Sequence, residues 1–335
     1  PTLTTGSWTV SATLTDPAGN TSASSSTLAL TITSAPATPS GAPDLVSASD
    51  TGSSSSDDVT SDTTPTFTGS GGTTGDTITI SGVKGGTTKT CSYVIGTGTQ
   101  SCDLTGLTDG DWSITSTVTN AAGHVSSPSA ATTVAIDTTA PTAPASAPDL
   151  AAASDTGSSS TDNLTNDTTP TFSLSGGTSG DTATISATDG TTTQSCTYVI
   201  GEATSCTLPT LTPGTWTVTG RLTDPAGNQS SAGTSMTMNL DTTAPSAPSL
   251  PDLDAASDTG SSNTDNNTTD TTPTMSSSGG AAGDVMTITA TKGGATVSCS
   301  YTVGSASSCD LATLTDGTWS VTATLTDPAG NTSSA

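Results

Sequence analysis

Aspartates crowded on short polar stretches are the residues of this chain best suited to chemistry. Asp155, Asp162, Asn163 and Asp167 fall within thirteen positions. The pattern returns as Asp50, Asp57, Asp58 and Asp62, and again as Asp258, Asp265, Asn266 and Asp270. Calcium takes about six to eight oxygen ligands from carboxylates, carbonyls and water. Like charges crowded on one loop repel unless a cation neutralises them, so calcium is the expected cofactor. The spacing is not that of an EF-hand, and no bidentate glutamate closes it. The competing reading is a solvated acidic loop held by Asx turns.

Other chemistry is thinly supplied. A catalytic nucleophile needs a base, and the one histidine, His124, stands in a worn copy of a repeated turn. Glu202, the one glutamate, reads as a solvated loop residue. No glycine motif follows a strand and opens a helix to cradle phosphate. Paired aspartates could serve a glycosidase, but these recur with the period of the chain, and a thin all-β unit offers no deep cleft. An enzyme is not expected. The 29 acidic residues face only Lys84, Lys89, Lys292 and Arg221, a net charge of −25. That excludes nucleic acid as a natural partner and disfavours anionic membrane surfaces. No apolar run is long enough to span a membrane.

The elements that must position the aspartates show themselves through repetition. "LTDPAGN" stands at residues 14–20, 222–228 and 325–331, with a worn copy, "VTNAAGH", at 118–124. The first polar residues of these turns, Asp16, Asn120, Asp224 and Asp327, are 104, 104 and 103 positions apart. A period that long is a whole domain. Six cysteines keep the same period as Cys91/Cys102, Cys196/Cys206 and Cys299/Cys309. Their spacing is not that of a zinc site. One close pair per unit in an acidic chain reads as a structural disulfide and an oxidising, extracellular setting. Each pair is expected to staple neighbouring strands of one hairpin.

Within one unit the apolar residues alternate. Phe172 and Leu174 lie on one face of a stretch, as do Ala183, Ile185 and Ala187, then Cys196, Tyr198 and Ile200. Trp216, Val218, Gly220 and Leu222 share a face, and so do Met236, Met238 and Leu240. A period of two predicts strands, and no stretch shows a helical period. Trp8, Trp112 and Trp319 begin the same alternation in the other copies. Two facing sheets per unit of about 100 residues follow, closed over a thin core. In the turn, Pro225 sits where φ near −65° is wanted and Gly227 where φ is positive. The heptapeptide therefore joins the last two strands of each sandwich.

"DTTAP" at residues 137–141 and 241–245 is followed by "APDL…SDTG…TDN…DTTPT", the strand pattern, a tryptophan strand and "DPAGN". This resembles the bacterial immunoglobulin-like repeats of giant cell-surface adhesins and biofilm-associated proteins, over essentially the whole chain. The resemblance implies an all-β fold of tandem Ig-like sandwiches in a linear array. It also implies a role as spacer, adhesin or filament outside the cell, stiffened by calcium. A binding module for glycan or a partner protein is the alternative, and it should expose aromatic side chains. The partners implied are neighbouring repeats and, in a filament, like chains. Two departures stand out: Thr33 or Ser34 replaces the linker aspartate, and Asn120 replaces the turn aspartate.

The expected divisions are residues 1–36, the last strands of a truncated unit; 37–141 and 142–245, complete units; and 246–335, a unit without its final strand. Such a piece would come from a longer array. In an Ig-like sandwich the loop after the first strand lies at the exit end. The turn before the last strand lies at the entry end of the next unit. Asp155, Asp162 and Asn163, Asp241 of the linker and Asp327 of the following turn are therefore expected to meet around calcium. So are Asp50, Asp57 and Asp58 with Asp137 and Asp224; Asp258 and Asp265 are candidate calcium ligands of the last acidic loop.

Overall fold

The computed structural model describes residues 2–335, and all their regular elements are β-strands. Two compact units are present. The first runs to Pro141 and also takes in Thr223–Gln229; the second holds Thr142–Leu222 and Ser230–Ala335.

The sandwich of the second unit shows how alternation becomes a core. Strands Asp149–Leu150, Thr171–Ser173 and Cys206–Thr207 form a three-stranded antiparallel sheet, with Thr171–Ser173 in the middle. The other sheet has five strands, ordered Leu164–Thr165, Met236–Leu240, Gly214–Thr223, Thr182–Thr188 and Thr193–Val199. Trp216 stands opposite Met238, and Val218 opposite Met236. Phe172, Ile185, Trp216, Val218, Leu222 and Met238 are fully buried between the sheets. Phe67, Ile80, Trp112, Ile114 and Val118 repeat this core in the first unit.

The tryptophan strand Ser320–Thr326 pairs only with Val285–Lys292 among the described residues. Trp319, just before it, is half-buried. Residues Gly6–Val10 and Leu28–Ile32 form a two-stranded hairpin on which Trp8 is 37% exposed. Leu30 stands opposite Trp8 as Val134 stands opposite Trp112, but among the described residues Trp8 has no facing sheet and Trp319 no strand corresponding to Met236–Leu240.

The polar stretch after the first strand is not all loop. Leu164–Thr165 pairs in parallel with the last strand, Leu164 opposite Asn239 and Thr165 opposite Leu240. Val59–Thr60 does the same in the first unit. Two residues are too few to show a period. What holds them is the threonine hydroxyl, which donates at 2.5 Å to Ser154 O and, in the first unit, to Ser49 O.

The three disulfides pair as Cys91–Cys102, Cys196–Cys206 and Cys299–Cys309. Their placement differs from the expected hairpin staple. Cys196 lies on Thr193–Val199, the edge of the five-stranded sheet, whereas Cys206 lies on the edge of the three-stranded one. The chain crosses between sheets in the loop separating the two cysteines. The bridge therefore ties the two sheets together along one open side of the sandwich.

One tyrosine per sandwich fixes that side further. Tyr198 Oη accepts from Leu174 N at 3.0 Å and donates to Leu174 O at 3.1 Å. Tyr93 clamps Gly69, and Tyr301 clamps Ser277, in the same way. Tyr198 is buried, so Tyr198→Phe leaves two backbone groups without partners. The expected loss is about 1–3 kcal/mol, measurable by urea denaturation. A variant as stable as the parent would mean that water replaces the hydroxyl.

Candidate cation site and junction

Each acidic loop is built around one buried carboxylate. Asp50, Asp155 and Asp258 are only 5%, 4% and 4% exposed. One oxygen of each accepts a backbone N–H eight residues on: Asp50 from Asp58 at 3.4 Å, Asp155 from Asn163 and Asp258 from Asn266, both at 3.2 Å. The three donors hold φ of 59°, 60° and 58°, a left-handed conformation that Asp and Asn tolerate better than other side chains. The second oxygen, Oδ1, has no hydrogen-bond partner in any of the three loops.

Burial is the main reason why the Asp50 and Asp155 carboxyls are pushed above the ordinary aspartate value. Neighbouring charge adds to it, from Asp57 and Asp58 in one case and from Asp162 and Asp149 in the other. A cavity at the first of these loops is lined by Asp44, Asp50, Ser55, Ser56 and Asp58. Asp57 and Asp162 each accept from the backbone two residues on, as Asx turns do. A buried, unpartnered carboxylate oxygen surrounded by oxygen donors fits a hard cation. No three His, Cys, Asp or Glu side chains among the described residues stand together as a ready-made ligand set. A bound ion would therefore draw on hydroxyls, carbonyls and water as well.

The repeated turn has a different internal logic. Gly330 N donates to Asp327 O at 3.0 Å, and Asp327 Oδ1 accepts from Asn331 N at 2.8 Å. Asp327 Oδ2 accepts from Asn331 Nδ2 at 3.0 Å. That bond aims the same amide at the linker, where Asn331 Nδ2 donates to Asp241 O at 2.8 Å. Asn228 reaches Asp137 O at 2.8 Å under the control of Asp224. In the worn copy the roles move: Asn120 Nδ2 itself donates to Ser34 O at 2.9 Å. Ser34 is thus the counterpart of the linker aspartates. The change to Asn120 keeps the grip that the change to His124 would lose. The side chains of Asp137 and Asp241 are occupied locally, accepting from Thr139 N and Thr243 N at 2.9 Å.

The turns also meet the loops. Thr156 Oγ1 donates to Ala329 O at 2.9 Å, and Thr51 Oγ1 to Ala226 O at 2.7 Å. The expected residues thus fall into two sets. Asp155 shares its surroundings with Asp162 and with Asp149, which the spacing of the acidic loop does not single out. Asp241 and Asp327 are joined through Asn331. Thr156 and Gly157, next to the buried aspartate, were also passed over; their one signal was the "SDTG" repeated at fixed spacing.

Residues 37–138, 142–242 and 244–335 each match a family model described as a bacterial Ig-like domain. Among solved structures, the chain is similar to a tetra-tandem repeat from the extending region of a large adhesion protein. The identity there is 21%, coverage 98% of this chain and 80% of that one, and TM-score 0.23. It is similar to a Ca2+-stabilized adhesin of an Antarctic bacterium at 19% identity, with 97% and 79% covered and TM-score 0.33. It is also similar to the FN1–FN3 domains of chicken CNTN1 at 14% identity, with 89% and 96% covered and TM-score 0.36. No curated protein gives a significant match.

Proposed function

The chain belongs to the bacterial Ig-like domain family, in three tandem copies, and from that premise we propose that it gives length to an extracellular adhesin or surface filament, stiffened by calcium. The observation that carries this reading is repetition without a distinguished member. The same buried carboxylate and disulfide recur in each of the three copies, and so does the turn, with Asn120 and His124 in the first of them. A recognition domain would need one unit that differs. Disulfides accord with an oxidising setting outside the cell.

Calcium would be held by Asp50 with Asp57, Asp58 and Asp44, and by Asp155 with Asp162, Asn163 and Asp149. Asp258 and Asp265 would hold it in the last copy. The ion supplies the positive charge that the buried Oδ1 lacks. Asp137, Asp224, Asp241 and Asp327 serve instead by hydrogen bonding, in linker and turn. The cation braces the loop next to Thr51 and Thr156, which touch the turns.

Deleting whole repeats from the parent protein is expected to shorten its reach in proportion and leave ligand affinity unchanged. A binding module predicts the opposite, with one isolated repeat taking glycan or a host protein tightly. In the two sandwiches with both sheets complete, Trp112 and Trp216 are buried, which speaks against their stacking on a ligand.

A further inference from the structure

The turns at 222–228 and 325–331 each rest on an acidic loop, and the contact falls on their alanine and glycine. Ala226 and Ala329 are 0% and 1% exposed, whereas Ala18 and Ala122 at the same turn position are exposed. A Cβ added to Gly19 or Gly123 would meet nothing within 4 Å. One added to Gly227 would lie 3.0 Å from Gly52 Cα, and one added to Gly330 3.1 Å from Gly157 Cα. From the other side the fit is tighter. A Cβ on Gly52 would lie 1.9 Å from Pro225 O, and one on Gly157 2.0 Å from Pro328 O. Backbone packs on backbone, with glycine on both sides.

The docked pair has a further bond, from Ser158 N to Pro328 O at 3.1 Å. The turn Thr223–Gln229 groups with the first compact unit, apart from the strands it connects. The turn glycines hold φ of 91°, 83°, 94° and 97° whether free or docked. The loop glycines under the turns, Gly52 and Gly157, hold φ of 102° and 95°.

We infer that the Thr-Gly step of the acidic loop is a socket and the Pro-Ala-Gly-Asn turn its plug, together a direct latch between successive repeats. The latch closes through Thr156 Oγ1, the Gly157–Pro328 backbone contact and Asn331 on the linker carbonyl, all direct contacts of protein with protein. Asp327 is a positioning residue that aims Asn331. The plug holds the same left-handed glycine in all four copies. The inference rests on the spacer reading but not on calcium.

The test uses Ala329→Gln, which enlarges a buried plug residue, with Ala18→Gln as the same change on a free turn. Gly157→Ala strikes the socket. Amide hydrogen exchange of the linker after Asp241 is followed in calcium and in chelator. Ala329→Gln and Gly157→Ala are expected to speed linker exchange at least tenfold in both buffers, while Ala18→Gln changes nothing and the melting of the repeats is kept. Unchanged linker exchange in both latch variants would overturn the proposal. So would a parent chain whose linker is already unprotected in chelator, since the cation would then be the fastening. Failure of repeat deletion to shorten the parent protein would instead strike the spacer reading and leave the latch standing.

Discussion

Removing the Cys196–Cys206 bridge lowers the melting temperature of its sandwich by about 12–24 °C. The residues lie 10 apart in sequence, and closing a loop of that size contributes about 3 kcal/mol in the chain-entropy account. For a domain of about 100 residues, 1 kcal/mol moves the midpoint by about 4–8 °C. The effect is large here because little else holds that side. Only 30% of the residues are hydrophobic. Strand Thr193–Val199 has a single neighbour in its own sheet, and the bridge and Tyr198 are its covalent and hydrogen-bonded ties to the facing sheet. Calorimetry of a Cys196→Ala/Cys206→Ala variant, with calcium kept constant, reads the shift. A fall of less than about 4 °C would show that the sheets hold each other without the bridge.

The fold was legible where a period could be seen. Trp216, Val218 and Leu222 alternate over a full-length strand, and the structure buries all three. The cysteine pairs were legible by count and period, but their sheets were not. The chain crosses between sheets in a short loop that reads like any hairpin. The two-residue strand at Leu164 was hidden because backbone pairing and one threonine hydroxyl hold it. The acidic loops were legible as a class from their crowded charge. That the buried member would be Asp155 was not, because burial there comes from a loop folding over its own backbone. The turn was read correctly as a turn. Its aspartate was expected to reach a cation, and the structure shows it shaping Asn331. What separates those roles is the direction of one carboxylate, which spacing does not encode.

Asp155→Asn should stabilise the repeat in chelator and destabilise it in calcium, relative to the parent. Without a cation the buried carboxylate is held above the ordinary aspartate value of 3.8, by burial first and then by Asp162 and Asp149. A group whose pKa rises on folding favours the folded state when protonated. Stability is therefore gained as pH falls from neutral through the raised value, and lost again as pH rises through it. The amide carries no charge to desolvate, so the variant lacks that loss at neutral pH and its melting changes less with pH over the window above 3.8. A cation reverses the balance, since the carboxylate then becomes a ligand. Binding to the folded state alone at 100 times the dissociation constant adds about 2.7 kcal/mol, and the variant forgoes most of it. Thermal melts in the two buffers, repeated from pH 7 towards pH 4, read both effects. A variant less stable in both buffers would mean that Oδ1 is needed as an acceptor within the protein. A parent whose melting ignores calcium would leave the carboxylate without a cation and remove calcium from the account of stiffness.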